Sequence, residues 1–248
     1  TDNWYTLGRY ANHSSEPNSR VEFLNGNWVL AGTVSKGTEI TVDYFQVKLL
    51  LDALSSVLVV DDFCEDLARV KESALAGGFS TWLPNKGEVG SSVYEGMGFW
   101  GDHSLLLRSL ILSTGKVLVP NSMFFRVTNE GMEKAYIHSD RESGNNTCVV
   151  YLTEHDTASG TAFFRHKRTG LLHMPSIWDM HNQGILEELK SDMVTRDPTK
   201  WEQVGYVEGK YNRALIFDAP LFHSIFPLEG IGDAVDTGRL IWLHTSTF

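Results

Sequence analysis

The chain has 248 residues, 42% of them hydrophobic and 21% charged, with a formal net charge of −10 at pH 7. That length holds one large β-type domain or two small ones around a sizeable core. The acidic balance argues against loose binding to nucleic acid or to an anionic membrane, because either needs a cationic surface. Two cysteines, Cys64 and Cys148, make no disulfide framework, no apolar run approaches membrane-spanning length, and the start TDNWYTLGRYANHS lacks a signal-peptide layout. The expectation is a soluble, intracellular, cytoplasmic protein.

In chain order, residues 1–44 are rich in Asn, Ser and Gly and end in WVLAGTVSKGTEITVDYF, whose alternation predicts a β-hairpin turning at SKG. So short a piece buries no core alone, so 1–44 is expected to pack as an arm on the flank of a main domain, 45–248. VLVVDDF predicts a strand, and Asp62 is placed to cap the helix CEDLARVKESALAGG, which stops at Gly77-Gly78. Ser80 to Asp102 is Gly-rich and unpatterned, and reads as a long loop of the kind that serves as a lid or binding loop. HSLLLRSLILSTG predicts a short helix.

From Val117 the pattern changes to short strands separated by turns: VLVPNSMFFRVT, KAYIHSD, TCVVYLTE, GTAFFRHK, QVGYVEG, NRALIFDA, FHSIFPL and RLIWLHTST. Strands at this spacing predict a mainly β fold, a sandwich or jelly-roll barrel with flanking helices. HNQGILEELKSDMVTRDPTKW reads as a helical insertion on that plan, placed to cover a substrate entrance.

EKAYIHSDRESG carries His138 and Asp140 two residues apart, so a strand there points both to one face. A lone His-x-Asp is weak; its weight comes from His223, which an apolar strand reaches through a short turn, and from Arg239, which opens a later apolar strand. An iron(II) oxygenase site needs two imidazoles and one carboxylate on one face of the metal, with the other positions open. His138, Asp140 and His223 match that donor set. Arg239 offers a planar fork suited to a carboxylate, and an arginine at the start of an apolar strand is costly to bury unless an anion meets it.

This constellation, set among jelly-roll strands, resembles the iron(II)/2-oxoglutarate-dependent oxygenases, most closely the prolyl-hydroxylase-like branch, whose strand after the iron motif ends in the Tyr-Leu seen here at Tyr151-Leu152. The resemblance spans residues 57–248, and SGTAFFRHKRTG is also similar to a little-characterised branch of oxygenase-like proteins from bacteria and phages. It implies a double-stranded β-helix (jelly-roll) core, Fe(II) held by the catalytic residues His138, Asp140 and His223, and 2-oxoglutarate as co-substrate. The distal carboxylate of 2-oxoglutarate would then meet Arg239, with Tyr151 adding a hydrogen bond. The implied reaction hydroxylates a C–H bond of a small-molecule or polypeptide substrate and releases succinate and carbon dioxide. The stretch LEGIGDAVDT makes the interval from His223 to Arg239 longer than is usual in that family.

Other residues have plainer readings. His155 and Asp156 fall in a predicted solvated turn. His166 and its basic neighbours are expected to face water. His103, His173 and His181 lie at loops or helix starts without a matching ligand, and His244 reads as a core histidine. Trp82, Trp100 and Trp178 fall on predicted loops, where they either line a substrate groove or pack a lid. No G-x-G-x-x-G stands between a strand and a helix, so nucleotide binding is not supported. Near the start, Asn12-His13-Ser14, Pro17-Asn18 and Gly37-Thr38-Glu39-Ile40-Thr41-x-Asp43-Tyr44 resemble the C-terminal end of SET-domain methyltransferases, in which the Asn-His pair contacts S-adenosylmethionine. The match covers only residues 8–44, so the segment reads as a SET-like remnant. A methyltransferase fragment and a non-catalytic jelly-roll binding protein are the competing functions.

Overall fold

The structure, a computed structural model, describes residues 11–77, 79–82, 96–99, 101–130, 137–154, 159–176, 183–195, 197–226 and 231–247. The fold is mainly β with flanking helices. Its elements are β1 (Asn12–His13), β2 (Arg20–Leu24), β3 (Asn27–Ala31), β4 (Thr41–Val42), α1 (Tyr44–Leu54), β5 (Leu58–Val60), α2 (Leu67–Ala76), β6 (Ser80–Trp82), β7 (Gly96–Phe99) and α3 (Ser104–Thr114). They continue with β8 (Val119–Thr128), β9 (Asn146–Tyr151), β10 (Gly160–His166), α4 (Gln183–Thr195), β11 (Trp201–Glu208), β12 (Ala214–Asp218), β13 (His223–Phe226) and β14 (Arg239–Thr247).

Two sheets form the body. An antiparallel seven-stranded sheet runs β5-β12-β9-β14-β8-β7-β6, and a five-stranded sheet runs β13-β10-β11-β2-β3. Strand alternation explains how they pack. Val149 and Tyr151 of β9, Leu215 and Phe217 of β12 and Ile241 of β14 share one buried cluster with Phe163 of β10 and Val204 and Val207 of β11. These are the inner faces, packed on each other. The intervening residues Cys148, Val150, Ala214, Ile216, Leu240 and Trp242 face the other way and bury Leu67, Val70 and Ala74 of α2 and Leu106 and Leu110 of α3. β9 is therefore buried along its whole length. Each large apolar side chain so enclosed contributes about 1.5–3 kcal/mol to folding.

On the outer face of the five-stranded sheet, Ala162, Phe164 and Phe222 pack with Ile137, Trp201 and, from α4, Leu186 and Leu189. The helical insertion thus lies behind this sheet and not over its inner face, because its apolar stripe matches the outward set of β10.

The N-terminal segment is joined to the same sheet. β2 pairs in parallel with β11 and antiparallel with β3. The β2–β3 turn is Asn25-Gly26, with φ of 50° and 82°, the left-handed pair that a two-residue hairpin loop requires. The predicted hairpin at SKG is thus replaced: a turn does form there, with the Thr38 N–H donating to the Ser35 carbonyl, but β4 pairs in parallel with β1 instead of returning along β3. The Tyr44 N–H donates to His13 Nδ1 at 3.2 Å.

Three further expectations are corrected. α1 has no counterpart in the sequence reading, although Asp43 accepts from the N–H groups of Phe45 and Gln46 and caps it, and Val47, Leu50 and Leu54 form its buried stripe. α2 starts later than predicted, with Asp66 at its N-cap position, while Asp62 sits at φ 51° in the preceding turn. The ends of the predicted loop Ser80–Asp102 are strands, since β6 and β7 pair and extend the seven-stranded sheet; residues 83–95 lie outside the described residues. Among the described residues, no helix is long and apolar enough to cross a membrane.

Candidate metal centre

His138 lies outside the named strands. Residues 131–136 are not among those described, and His138 forms a single antiparallel bridge with His223, the first residue of β13. Each donates its N–H to the other's carbonyl at 2.9 Å. Two residues on, the Asp140 N–H donates to the Ala219 carbonyl at 2.9 Å, just before the 3-10 turn Arg141–Ser143. The bridge places the two imidazoles side by side, with ring centroids 4.3 Å apart, and the i, i+2 relation brings the carboxylate of Asp140 to them.

The donor atoms converge. His138 Nε2 is 3.5 Å from Asp140 Oδ1, and His223 Nε2 is 3.4 Å from Asp140 Oδ2. One ligand atom from each of the three residues lies within 4.8 Å of the others. Nδ1 of His223 lies 2.8 Å from the Leu221 carbonyl. A carbonyl only accepts, so Nδ1 carries a proton, and Nε2 is the ring atom presented to Asp140. Burial alone would raise the pKa of Asp140, but the imidazoles of His223 and His138 outweigh it and hold the carboxyl well below the usual carboxylate range. It is therefore an anion at neutral pH. The gaps are slightly longer than the edge of about 3 Å between neighbouring donors that bonds of about 2.1 Å impose, so small side-chain rotations would close the set on a first-row ion.

The other predicted pair meets further along the inner face. Arg239 opens β14, 5% exposed, with its guanidinium carbon 5.7 Å from the centroid of the Tyr151 ring. Its Nε makes no hydrogen bond, and no carboxylate pairs with it among the described residues. Tyr151 shares a hydrogen bond of 2.8 Å with Thr161 Oγ1, and burial raises its pKa, so the phenol stays protonated. A buried guanidinium without a counter-ion is a place for an anion.

Other histidines divide clearly. His155, Asp156 and His181, with Trp100 and Trp178, lie outside the described residues. His173 is exposed and bridges Leu221. His103, at the N-cap position of α3, accepts from Trp242 Nε1 at 3.1 Å and stacks on Phe125. His244 is buried beside Trp242 on the helix side of its sheet, away from Arg239. His166 departs from expectation: Lys167 and Arg168 face water, but His166 is 1% exposed, because it continues the outward set of β10 that α4 covers. Its Nε2 is 3.0 Å from Asp192 of α4 and its Nδ1 3.0 Å from Thr169 Oγ1. The sequence reading also passed over Thr147, whose hydroxyl donates to Asp140 Oδ2 at 2.9 Å. Alternation along NTCVVY places Thr147 on the face of Val149 and Tyr151, which was the available signal.

The class defined so far is a mainly β protein of two packed sheets with flanking helices, carrying two histidines and a carboxylate at one edge. The chain belongs to the family of unknown function DUF6445, whose model matches residues 112–242. No curated protein matches it. Among solved structures it is similar to HygX from Streptomyces hygroscopicus with nickel and 2-oxoglutarate bound, at 10% identity and a TM-score of 0.47 over 82% of this chain and 86% of that one. It is also similar to a prolyl hydroxylase from Trichoplax adhaerens in complex with a peptide of hypoxia inducible factor, at 12% identity and a TM-score of 0.46 over 82% and 89%. A third is the non-heme alpha ketoglutarate dependent carbocyclase SnoK from nogalamycin biosynthesis, at 13% identity and a TM-score of 0.45 over 82% and 83%.

Proposed function

We propose that the protein is an iron(II)- and 2-oxoglutarate-dependent oxygenase built on a double-stranded β-helix, and that it hydroxylates a C–H bond of a small-molecule or polypeptide substrate. The observation that carries this reading is the donor set of His138, Asp140 and His223 on the same inner surface as a buried arginine, Arg239, that lacks a carboxylate partner among the described residues. The residues fit the group. Two neutral imidazole nitrogens and one ionised carboxylate leave half of an octahedral ion open, as a non-heme iron site requires. When bound, iron with 2-oxoglutarate supplies the oxidising power for C–H hydroxylation, with succinate and carbon dioxide as by-products.

The chain's own residues bind, orient and exclude water. His223 is held in the ligating tautomer by the Leu221 carbonyl. Arg239 pairs with the distal carboxylate of 2-oxoglutarate, and the protonated Tyr151 donates to the same carboxylate or keeps Thr161 in place. The residues that flank these groups on the inner face, Phe163, Phe217 and Ile241, are apolar and buried. An ionised carboxylate beside two imidazoles, with a buried Arg239 that has no carboxylate partner among the described residues, favours this reading over a binding protein without catalysis.

Anaerobic titration with iron(II) and 2-oxoglutarate tests the reading. The expected result is a visible metal-to-ligand charge-transfer band that His138→Ala removes and Arg239→Leu shifts to higher 2-oxoglutarate concentration. Absence of the band, together with no succinate formed under air, overturns it.

A further inference from the structure

We propose that Thr147 is a positioning residue of the metal centre, whose hydroxyl decides which oxygen of Asp140 is presented to the ion. The inference rests on the reading of His138, Asp140 and His223 as metal ligands, and it adds a residue that donates no metal bond. An ionised carboxylate only accepts, so the 2.9 Å contact is a hydrogen bond from Thr147 Oγ1 to Asp140 Oδ2. Thr147 is fully buried, and its hydroxyl has no other partner among the described residues.

The need for such a contact follows from how Asp140 is held. Its backbone is fixed by the Ala219 carbonyl and by the turn that follows. Its terminal torsion is fixed by nothing covalent, since rotation of a carboxylate is soft. The two oxygens have different surroundings: Oδ1 faces His138 Nε2, whereas Oδ2 meets both His223 Nε2 and the Thr147 hydroxyl. A hydroxyl on Oδ2 uses one of its lone pairs and stops the rotation, leaving Oδ1 as the better single donor to an ion. Without it, the carboxylate can swing to bind through either oxygen or both, at the expense of one of the positions that a co-substrate needs. β9 is a rigid, fully buried strand paired on both sides, so the hydroxyl is held in register with the site.

Anaerobic cobalt(II) titration of the full chain, followed by the ligand-field absorption of the bound ion, tests this. Thr147→Val keeps the shape and loses the donor; Thr147→Ala loses the donor without adding bulk; Thr147→Ser restores it. Both Thr147→Val and Thr147→Ala are expected to weaken cobalt(II) binding about 10- to 100-fold, as loss of an orienting partner does at metal sites, while Thr147→Ser stays within about 3-fold of the parent. The absorption envelope is expected to change in the first two and not in the third, which a merely structural role in β9 does not produce. Parent-like affinity and spectrum in Thr147→Val or Thr147→Ala, or equal weakening in Thr147→Ser, overturns the inference while leaving the metal site standing. If the parent binds no cobalt(II), or if Asp140→Ala binds it as tightly, the metal reading fails and this inference fails with it.

Discussion

The five-stranded sheet carries a histidine–carboxylate cluster on each face, and the two are built differently. On the inner face, His138 and His223 flank Asp140; on the outer face, His166 meets Asp192, with Glu188 one helical turn away on α4. In both, a ring nitrogen approaches a carboxylate oxygen, at 3.4–3.5 Å inside and 3.0 Å outside. The difference lies in the neighbouring cations. Asp192 is also paired with the Lys200 ammonium, and Glu188 with the Arg168 guanidinium. No lysine or arginine pairs with Asp140 among the described residues. A carboxylate already neutralised by a side chain has little charge left for an ion, whereas one met by imidazoles and a hydroxyl but by no lysine or arginine among the described residues keeps its charge for one. Donor count alone does not separate the clusters; counter-charge does.

The largest expected effect breaks the symmetry of the two clusters directly. Equilibrium dialysis against cobalt(II) is expected to give one tightly bound ion per chain, lost in Asp140→Ala and retained in Asp192→Ala. Two ions, or loss in the outer variant, would mean that Lys200 and Arg168 yield to a metal. Next in size is stability. Asp192→Ala leaves Nε2 of the buried His166 without its carboxylate, and is expected to cost about 2–3 kcal/mol in urea unfolding. That is less than the about 3–5 kcal/mol for breaking a fully buried pair, because Lys200 is 42% exposed and can turn to water. In the absence of metal, Asp140→Ala is expected to cost less than Asp192→Ala; the reverse order would assign the structural role to the inner cluster.

Much of this contrast was legible in the sequence on one side only. His138, Asp140, His223 and Arg239 could be selected because strand alternation and an apolar run entering His223 or leaving Arg239 are local patterns. The outer cluster could not. Whether His166 meets water depends on α4, which comes later in the chain and packs back onto β10, and nothing in FFRHKRTG reports that cover. The same limit hid α1, where a capping Asp43 and the spacing of Val47, Leu50 and Leu54 were present but overshadowed by the alternation of the preceding stretch. The parallel pairing of β2 with β11 joins residues far apart in sequence, and its register is set by tertiary packing.

Another buried imidazole, His244, sharpens the comparison, because among the described residues it pairs with neither a carboxylate nor a cation. Both ring nitrogens of His244 lack a hydrogen-bond partner among the described residues; burial, and then the nearby His103, depress its pKa from 6.5 to about 4. The unfolded chain takes up this proton below about pH 6.5, while the folded chain resists until about pH 4. Stability from this residue is therefore complete above pH 6.5 and falls as the pH drops through that window, by no more than about 3 kcal/mol. His244→Phe is expected to flatten the pH dependence of the urea midpoint between pH 6.5 and 4. An unchanged slope would show that His244 is not what the folded state must keep neutral.

The smallest expected effect locates the energy within the outer cluster. Arg168 is 62% exposed at the side chain and Glu188 27%, so their ion pair works in a medium close to water and loses side-chain entropy to hold its geometry. Arg168→Ala is expected to cost less than about 1 kcal/mol, and less again in 0.5 M salt, where the screening length falls below about 5 Å. Asp192→Ala, acting on a buried contact, is expected to keep most of its cost at that salt concentration. If the two losses were instead similar and fell together with salt, the outer cluster would be a solvated ion-pair network throughout. His166 would then contribute by packing against Trp201, whose ring centre lies 4.9 Å away, and not by its charge partner. A double-mutant cycle between Arg168 and Asp192 separates these cases: independence fits a surface pair beside a buried one, and a coupling near 1 kcal/mol fits a single network.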